Sequence, residues 1–404
     1  MKGLKNAPYN DISETDIQNL IMSAMRQSDR YRTMKADGYS EEEILKAFKT
    51  KTKMRVFSWD GKKDTIMTPW DSLIYHKWFL HCGMMSVEPQ TGYVKAYVGG
   101  IDYNFFQFDN VIHGKRQVGS TFKPFVYTKA LKDGGYTPCT KVPNVKVCIE
   151  TPHSEKEDWC PKNSDNKREG EMVTLKWALA NSVNFVSAYL IKRFPPQTVI
   201  DLARKMGITS PIDPVPSICL GSCDLSVYEM TGAFSTFVNE GLYIKPTFIT
   251  RIEDKHGNIL ETFVPESNEA ISKDAAYMTV RLLQGVVDAG TGVRLRYKYG
   301  LNGAIAGKTG TTQNQSDGWF MGCLPRLVTG VWVGGEVRSI HFRSITYGQG
   351  ANMALPIWAL FAKRLYSDKT LDYLGSEQFV GSSTMRDAFD CSEKQTEIDP
   401  SEEL

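Results

Sequence analysis

The chain has 404 residues, of which 41% are hydrophobic and 23% charged, values typical of a globular protein with one large domain or two to three ordinary ones. Its formal net charge of +2 lacks the strong positive excess of nucleic-acid-binding proteins, so no nucleic-acid partner is expected. No run approaches the roughly 18 apolar residues of a membrane-spanning helix, and the N-terminus lacks the apolar core of a signal peptide. These features favour either a cytoplasmic protein or a chain without its natural start.

Residues 1–83 are predicted to form a small adapter that is too short for an independent enzyme. Helical spacing of apolar residues predicts one helix from about residue 10 to Gly38. A second helix is predicted to begin at Ser40, because Glu43 follows at the spacing of a capping box. A β-hairpin and a third helix are then expected, over residues 54–67 and about 70–80.

From Met85 onward, strands come first, helices follow and strands return. The first strands are predicted over 85–88 and 93–98. The helices are predicted over residues 120–134, 175–191, 197–206, 227–238 and 270–287. The later strands and a closing helix are predicted over residues 304–312, 319–323, 327–334 and 354–366. This order predicts an α/β fold with a mostly antiparallel sheet, flanked by helices and carrying an inserted helical lobe.

The eight cysteines do not form a metal-binding pattern. Cys219 and Cys223 are four residues apart, but no histidine stands in a zinc-like array with them, so we expect no metal and no cofactor. Residues 150–171 are polar and predicted to be a surface loop. Cys148 and Cys160 flank a polar, turn-rich stretch, where a hairpin would bring them within disulfide distance. For this pair, a disulfide and two free thiols both remain open; buried thiols are expected for the rest.

Ser120 and Lys123 are the first candidates for catalysis, at the start of a predicted helix. At this spacing both side chains lie on one face of the helix, so the lysine amine can reach the serine hydroxyl and take its proton. A lysine acts as a base only when burial or a neighbouring cation lowers its pKa, and Lys308 is a candidate for that cation.

A second Ser-x-x-Lys string occurs at residues 164–167 and also contains Ser-Asp-Asn. We reject it because it lies in a polar stretch without apolar residues on either side, whereas a catalytic serine needs a rigid mount. The helix of Ser120 has such support from Phe122 and Phe125.

Ser182 and Asn184 form a Ser-x-Asn string after an apolar helical segment. A break in the helix here would direct both side chains from the helical lobe into a cleft. Ser182 would then pass a proton between Lys123 and an amine, and Asn184 would contact Lys123 and a substrate amide. The alternative is a polar pair in the middle of a helix.

Lys308, Thr309, Gly310 and Thr311 lie at the end of a predicted strand. A strand edge offers backbone groups to an extended substrate, and Gly310 would let the substrate backbone approach closely. Lys308 would attract a carboxylate, with the two threonine hydroxyls as further donors. The backbone N–H groups of Thr311 and Ser120 would form an oxyanion hole. The alternative is a strand that ends in a threonine-rich turn.

The ordered strings Ser-x-x-Lys, Ser-x-Asn and Lys-Thr-Gly resemble the motif set of penicillin-binding transpeptidases and serine β-lactamases. Over about residues 84–370 the chain resembles class A penicillin-binding proteins, and the leading region resembles the linker of their bifunctional members. The stretches that carry this resemblance are residues 88–92, 98–100, 116–124, 308–312, 317–320 and 331–334.

The resemblance implies a D,D-transpeptidase with a domain over residues 84–370, an adapter over 1–83 and a polar acidic tail over 371–404. Ser120 would attack the penultimate D-Ala carbonyl of a peptidoglycan stem peptide, and the amine of a second stem would resolve the acyl-enzyme. Water as the acceptor would give a D,D-carboxypeptidase side activity, and β-lactams would acylate Ser120.

The family also implies an extracytoplasmic location. Its membrane anchor and glycosyltransferase domain are not seen in this chain, so a fragment or a truncated gene product is expected, with membrane association only through an upstream anchor.

Two other functions share the acylation residues. A serine β-lactamase needs rapid deacylation, usually through a glutamate on a loop after Ser-x-Asn. Glu229 and Glu240 lie in that interval, but neither is predicted to lie in such a loop. A β-lactam sensor would acylate and stay acylated in order to signal.

Overall fold

The structure is a computed structural model that describes residues 13–150, 158–381 and 391. Its first elements are α1 (Glu14–Gln27), α2 (Asp29–Ala36), α3 (Glu41–Phe48), β1 (Thr52–Val56), β2 (Lys63–Met67) and α4 (Pro69–Lys77). The single helix predicted up to Gly38 is wrong. The Ser28 backbone is extended, and its hydroxyl donates to the Met25 carbonyl and accepts from the Tyr31 N–H, which ends α1 and begins α2. The capping box at Ser40 is confirmed.

The remaining elements extend from residue 81 to residue 367. They include 3₁₀ turns at Gly119–Phe122, Pro216–Leu220 and Gln313–Gln315. The strands are β3 (His81–Val87), β4 (Val94–Val98), β5 (Arg116–Gln117), β6 (Lys141–Pro143), β7 (Met172–Thr174), β8 (Asp224–Leu225), β9 (Leu242–Ile244), β10 (Arg251–Glu253), β11 (Ile259–Thr262), β12 (Ser267–Glu269), β13 (Ala306–Thr311), β14 (Asp317–Leu324) and β15 (Leu327–Gly334). The helices are α5 (Lys123–Asp133), α6 (Leu175–Ala180), α7 (Asn184–Arg193), α8 (Pro196–Lys205), α9 (Val227–Val238), α10 (Lys273–Ala289), α11 (Arg294–Tyr297), α12 (Ile345–Gly348) and α13 (Gly350–Ser367).

The central sheet has the strand order β13–β14–β15–β3–β4, and every neighbouring pair is antiparallel. Strands from both ends of the predicted domain meet in its middle, where β15 pairs with β3 and Gly330 lies opposite Met85. The predicted α/β class, with a mostly antiparallel sheet built from both ends, is therefore confirmed.

Helices cover both faces of the sheet, because successive strand residues point to opposite sides. Trp319 and Met321 of β14 join the core cluster that contains α5, α9 and α10. Phe320 lies between them in sequence and packs on the other face against Trp358 of α13. Both faces are thus buried, which explains why β14 and β15 are apolar without strict alternation.

Two disulfides lie within the described residues. Cys148 is bonded to Cys160, which settles the alternative that the sequence left open. Cys139 is bonded to Cys391, so the expectation of free thiols at these two positions is wrong. The partners are 252 residues apart, a separation at which sequence spacing indicates no pairing. Most of the predicted acidic tail lies outside the described residues.

Each helix of the described residues is too short or too polar to cross a bilayer.

Candidate active site

Ser120 lies in the 3₁₀ turn Gly119–Phe122, which leads directly into α5. The predicted helix at Ser120 therefore begins as a tighter turn, and the α-helix starts at Lys123. Two backbone hydrogen bonds hold the residues just before Ser120. The Val118 N–H donates to the Cys223 carbonyl and the Gly119 N–H donates to the Gly221 carbonyl, each at 3.1 Å. This gives the candidate nucleophile the rigid mount that its role requires.

The 3₁₀ turn that contains Ser120 packs closely against the end of β13. Gly119 has a positive φ of 54°, and a Cβ atom there would lie 2.6 Å from the Thr311 carbonyl oxygen. Only glycine allows both this conformation and this approach. The backbones of Ser120 and Thr311, predicted to form the oxyanion hole, therefore belong to segments in direct contact.

Lys123 connects its own motif, Ser-x-x-Lys, to the Ser-x-Asn motif. Its side chain is fully buried, and Nζ donates to the Ser182 carbonyl oxygen at 2.5 Å, to Ser182 Oγ at 3.2 Å and to Asn184 Oδ1 at 2.6 Å. Burial lowers the pKa of Lys123 to about 7, since the charged amine loses its hydration. A buried lysine with this pKa meets the requirement for a general base near neutral pH.

A break between α6 and α7 positions the Ser-x-Asn residues. The predicted continuous helix over 175–191 is interrupted, because Ser182 adopts a left-handed conformation with φ of 56° and α7 begins at Asn184. Such a conformation costs a non-glycine residue on the order of 1–3 kcal/mol, which the surrounding packing must offset. Of the two alternatives for Ser182 and Asn184, the structure therefore has the break, and both side chains contact Lys123.

Lys308 of the Lys-Thr-Gly motif also contacts Ser182. Its side chain is fully buried, and Nζ donates to Ser182 Oγ and to the Thr309 carbonyl oxygen, both at 3.0 Å. Burial, followed by the nearby charge of Lys123, lowers the pKa of Lys308 well below its ordinary value. We expected Lys308 to lower the pKa of Lys123, but burial is the main cause for both lysines.

The other β13 residues lie at the edge of the sheet. The Thr309 and Thr291 hydroxyls are 2.6 Å apart, and Thr311 Oγ1 accepts from the Gly350 N–H at 3.1 Å. The reason predicted for Gly310 is wrong. A Cβ atom there would point inward, 2.7 Å from the Val118 carbonyl oxygen. Gly310 thus permits close packing between β13 and the nucleophile segment.

We expect Gly310→Ala to displace the nucleophile segment. The added methyl would also lie 2.8 Å from Thr121 Cγ2, so the backbone must shift, at a cost of roughly 1–3 kcal/mol for overpacking. Thermal unfolding and acylation by a fluorescent penicillin would measure the effect. Gly300→Ala is the matched control, because no atom lies near a Cβ there, although its own positive φ will cost some stability. Unchanged acylation in Gly310→Ala would contradict this packing role.

Sequence reasoning missed one contact of the site. The Asn163 side chain accepts hydrogen bonds from the backbone N–H groups of Asn184 and Phe185. Asn163 immediately precedes the rejected string at 164–167, and no local pattern links it to a helix that begins 21 residues later.

Two family models match the chain. One is described as the penicillin binding protein transpeptidase domain and matches residues 83–335. The other is described as the penicillin-binding protein middle domain and matches residues 4–80.

Curated relatives carry the same family name. Penicillin-binding protein 1A of Aquifex aeolicus is 35% identical over 298 residues, which is 72% of this chain and 39% of the relative. Penicillin-binding protein 1A of Neisseria meningitidis serogroup A is 33% identical over 285 residues, 69% of this chain and 35% of the relative. The chain thus spans between about a third and two-fifths of the length of these relatives.

A solved structure shares the fold. The crystal structure of penicillin-binding protein 1A from Haemophilus influenzae has a TM-score of 0.66 at 25% identity, over 74% of this chain and 49% of that chain. Because the transpeptidase model alone covers more than half of the sequence, the chain belongs to the penicillin-binding protein family and carries that family's transpeptidase domain.

Proposed function

We propose that this chain is a peptidoglycan D,D-transpeptidase that works through an acyl-enzyme on Ser120. The observation that carries the proposal is the meeting of both lysines at one hydroxyl, where Lys123 and Lys308 donate to Ser182 Oγ at 3.2 and 3.0 Å. In a chain that belongs to the penicillin-binding protein family, this arrangement supports proton transfer beside a serine nucleophile.

In the first half-reaction, neutral Lys123 takes the proton of Ser120 while Oγ attacks the penultimate D-Ala carbonyl of a stem peptide. The N–H groups of Ser120 and Thr311 would stabilise the oxyanion, each by a few kcal/mol in the transition state. The proton then moves from Lys123 through Ser182 to the leaving amine. D-Ala departs, and an ester remains on Ser120.

In the second half-reaction, the amine of another stem attacks the ester. Its proton passes through Ser182 and Lys123 to Ser120 Oγ as the ester C–O bond breaks. Ser120 is thereby released as a hydroxyl, and a new amide bond joins the stems. Water in place of the amine gives a D,D-carboxypeptidase side activity, and no cofactor takes part in this scheme.

The Lys-Thr-Gly residues are proposed to bind the donor. Lys308, Thr309 and Thr311 would hold the terminal carboxylate of D-Ala-D-Ala, and Gly310 keeps β13 against the nucleophile. The pKa of Lys308 is low in the empty site because of burial and the charge of Lys123. An arriving carboxylate favours the protonated amine and so reverses part of this shift.

We also propose the domain limits and the location. The change of family model between residues 80 and 83 supports an adapter over 1–83 ahead of a transpeptidase domain over 84–370 and a tail over 371–404. Disulfides persist in oxidising compartments, so Cys148–Cys160 and Cys139–Cys391 support an extracytoplasmic location.

The environments of the two candidate glutamates do not favour a β-lactamase. Glu229 caps α9 with Ser226 and pairs with Lys115 at 2.8 Å. Burial alone would raise the pKa of Glu229, but hydrogen bonds from Lys115, Ser226 and Ser210 lower it to about 2. Glu240 forms an ion pair with Lys273. Both carboxylates are already engaged in structural contacts.

Acyl-enzyme lifetime and amine transfer test the proposal together. We expect a fluorescent penicillin to form an adduct that persists, because Glu229 and Glu240 are engaged in other contacts. We expect a D-Ala-D-Ala donor to give an amide product with an added amine. An adduct that is lost within seconds would indicate a β-lactamase. A stable adduct without transfer from the donor would indicate a sensor.

A further inference from the structure

The described segment 158–171 contacts the start of α7, where the Ser-x-Asn motif lies. Asn163 Oδ1 accepts from the backbone N–H groups of Asn184 at 2.9 Å and Phe185 at 3.1 Å. Val183, the residue at the N-cap position of α7, makes no side-chain cap hydrogen bond. Asn163 therefore supplies from another segment the cap that a helix usually takes from its own preceding residue.

The same segment determines which way the Asn184 amide faces. The Lys162 carbonyl oxygen accepts from Asn184 Nδ2 at 2.6 Å. Because the amide has its oxygen opposite its NH₂ group, this bond turns Oδ1 toward Lys123 Nζ, also at 2.6 Å. In the flipped orientation two donor groups would face each other, and Lys123 would lose an acceptor.

A buried side chain holds Asn163 in place. Asn163 Nδ2 donates to Asn144 Oδ1 at 3.0 Å, and Asn144 is fully buried. Asn144 Nδ2 in turn donates to the Lys167 and Arg168 carbonyl oxygens at 3.2 and 2.7 Å. The disulfide from Cys160 to Cys148 fixes the chain three residues before Asn163. The segment is thus anchored at both ends of its contact with α7.

We infer that Asn163 is a positioning residue for acylation, acting through Asn184 to hold Lys123 in its productive place. The inference rests on the proposed function, because it assumes that Lys123 is the base for Ser120. Asn163 itself does not touch the reacting atoms; its effect is to cap α7 and to keep Asn184 Oδ1 as an acceptor.

Variants at Asn163 separate positioning from general support of the fold. Asn163→Ala removes the cap of α7 and the bond to Asn144 that holds the Lys162 carbonyl beside Asn184 Nδ2, so we expect acylation by a fluorescent penicillin to slow by about tenfold. The pH at which the acylation rate is half of its maximum, called the pH midpoint here, should also fall below that of the unmodified chain. The reason is that the loss of Asn184 Oδ1 as an acceptor destabilises charged Lys123. The other titratable groups next to Lys123 are Lys308 on β13 and Cys219 in the turn Pro216–Leu220.

Asn163→Asp is the rescue variant. Its carboxylate accepts the same two N–H bonds at a helix N-terminus but lacks the Nδ2 donor to Asn144 Oδ1, so we expect an acylation rate between that of Asn163→Ala and that of the unmodified chain. The added negative charge should keep the pH midpoint at or above that of the unmodified chain. Asn166→Ala, an exposed asparagine of the same segment, is the matched control and should change neither quantity.

Acylation rates of the full chain at pH values on both sides of about 7, with thermal unfolding of each variant, decide the question. Equal rates and midpoints in Asn163→Ala and the unmodified chain would overturn the inference. A slow Asn163→Ala with an unchanged midpoint, or an Asn163→Asp whose midpoint falls as far as that of Asn163→Ala, would also overturn it, since these results indicate structural support only. An unmodified chain that is not acylated would instead overturn the proposed function.

Discussion

Ser120→Ala is expected to abolish covalent labelling by a fluorescent penicillin. The hydroxyl is the atom that the acyl group joins, and no neighbouring group replaces it, so acylation should fall by on the order of 10⁴-fold or more, below detection. The substitution removes one oxygen from a partly exposed turn, so the fold should persist. Mass spectrometry of the labelled chain would place the adduct on the peptide that contains Ser120.

Ser164→Ala is the matched control for this experiment. Ser164 begins the second Ser-x-x-Lys string but is exposed on the segment 158–171, so its loss should leave labelling unchanged. An adduct that survives in Ser120→Ala and disappears in Ser164→Ala would show that the wrong string was assigned. Thermal unfolding of both variants would check that each chain is folded.

Removal of the proposed base, Lys123, should cause the next largest loss of acylation rate. Lys123→Ala is expected to slow acylation by about 10²–10⁴-fold, the usual contribution of general-base catalysis.

In the unmodified chain the acylation rate should rise about tenfold per pH unit below about 7 and level off above it, since only the neutral amine accepts a proton. Acylation rates measured at a series of pH values test both expectations.

The lowered pKa of Lys123 determines whether acylation becomes faster or slower as the pH falls. Below about 7 Lys123 is charged and cannot take the proton of Ser120, so acidification should reduce acylation. Lys132→Ala, at a partly exposed lysine of the same helix, should leave the rate and its pH profile unchanged. A rate that stays flat from acid to neutral pH would show that Lys123 is not the base.

Some elements were predictable because the pattern that specifies them is local. The helix Val227–Val238 was predicted with its observed bounds, and Ser226 with Glu229 forms a capping box at its start. The strand Leu327–Gly334 also matches its prediction, since continuous apolar residues between turns favour a strand buried on both faces.

The errors arose where a contact overrides the local pattern. The stretch 175–191 has helical composition throughout, yet Ser182 adopts a left-handed conformation where it meets both buried lysines. Gly310 was assigned to the substrate side, although the direction of its missing Cβ depends on which segment packs against β13.

The sequence by itself determined the chemical groups of the candidate site: two serines, two lysines, an asparagine and a threonine-rich strand end, in a characteristic order. It also indicated the strands of the central sheet and the long helices α9 and α10, since short-range spacing specifies them. Only the tertiary structure decided which groups meet. Lys123 reaches Asn184 across 61 residues, and Lys308 reaches Ser182 across 126. The lowered pKa values of the lysines and the role of Asn163 depend on burial and packing, which arise only when distant segments come together.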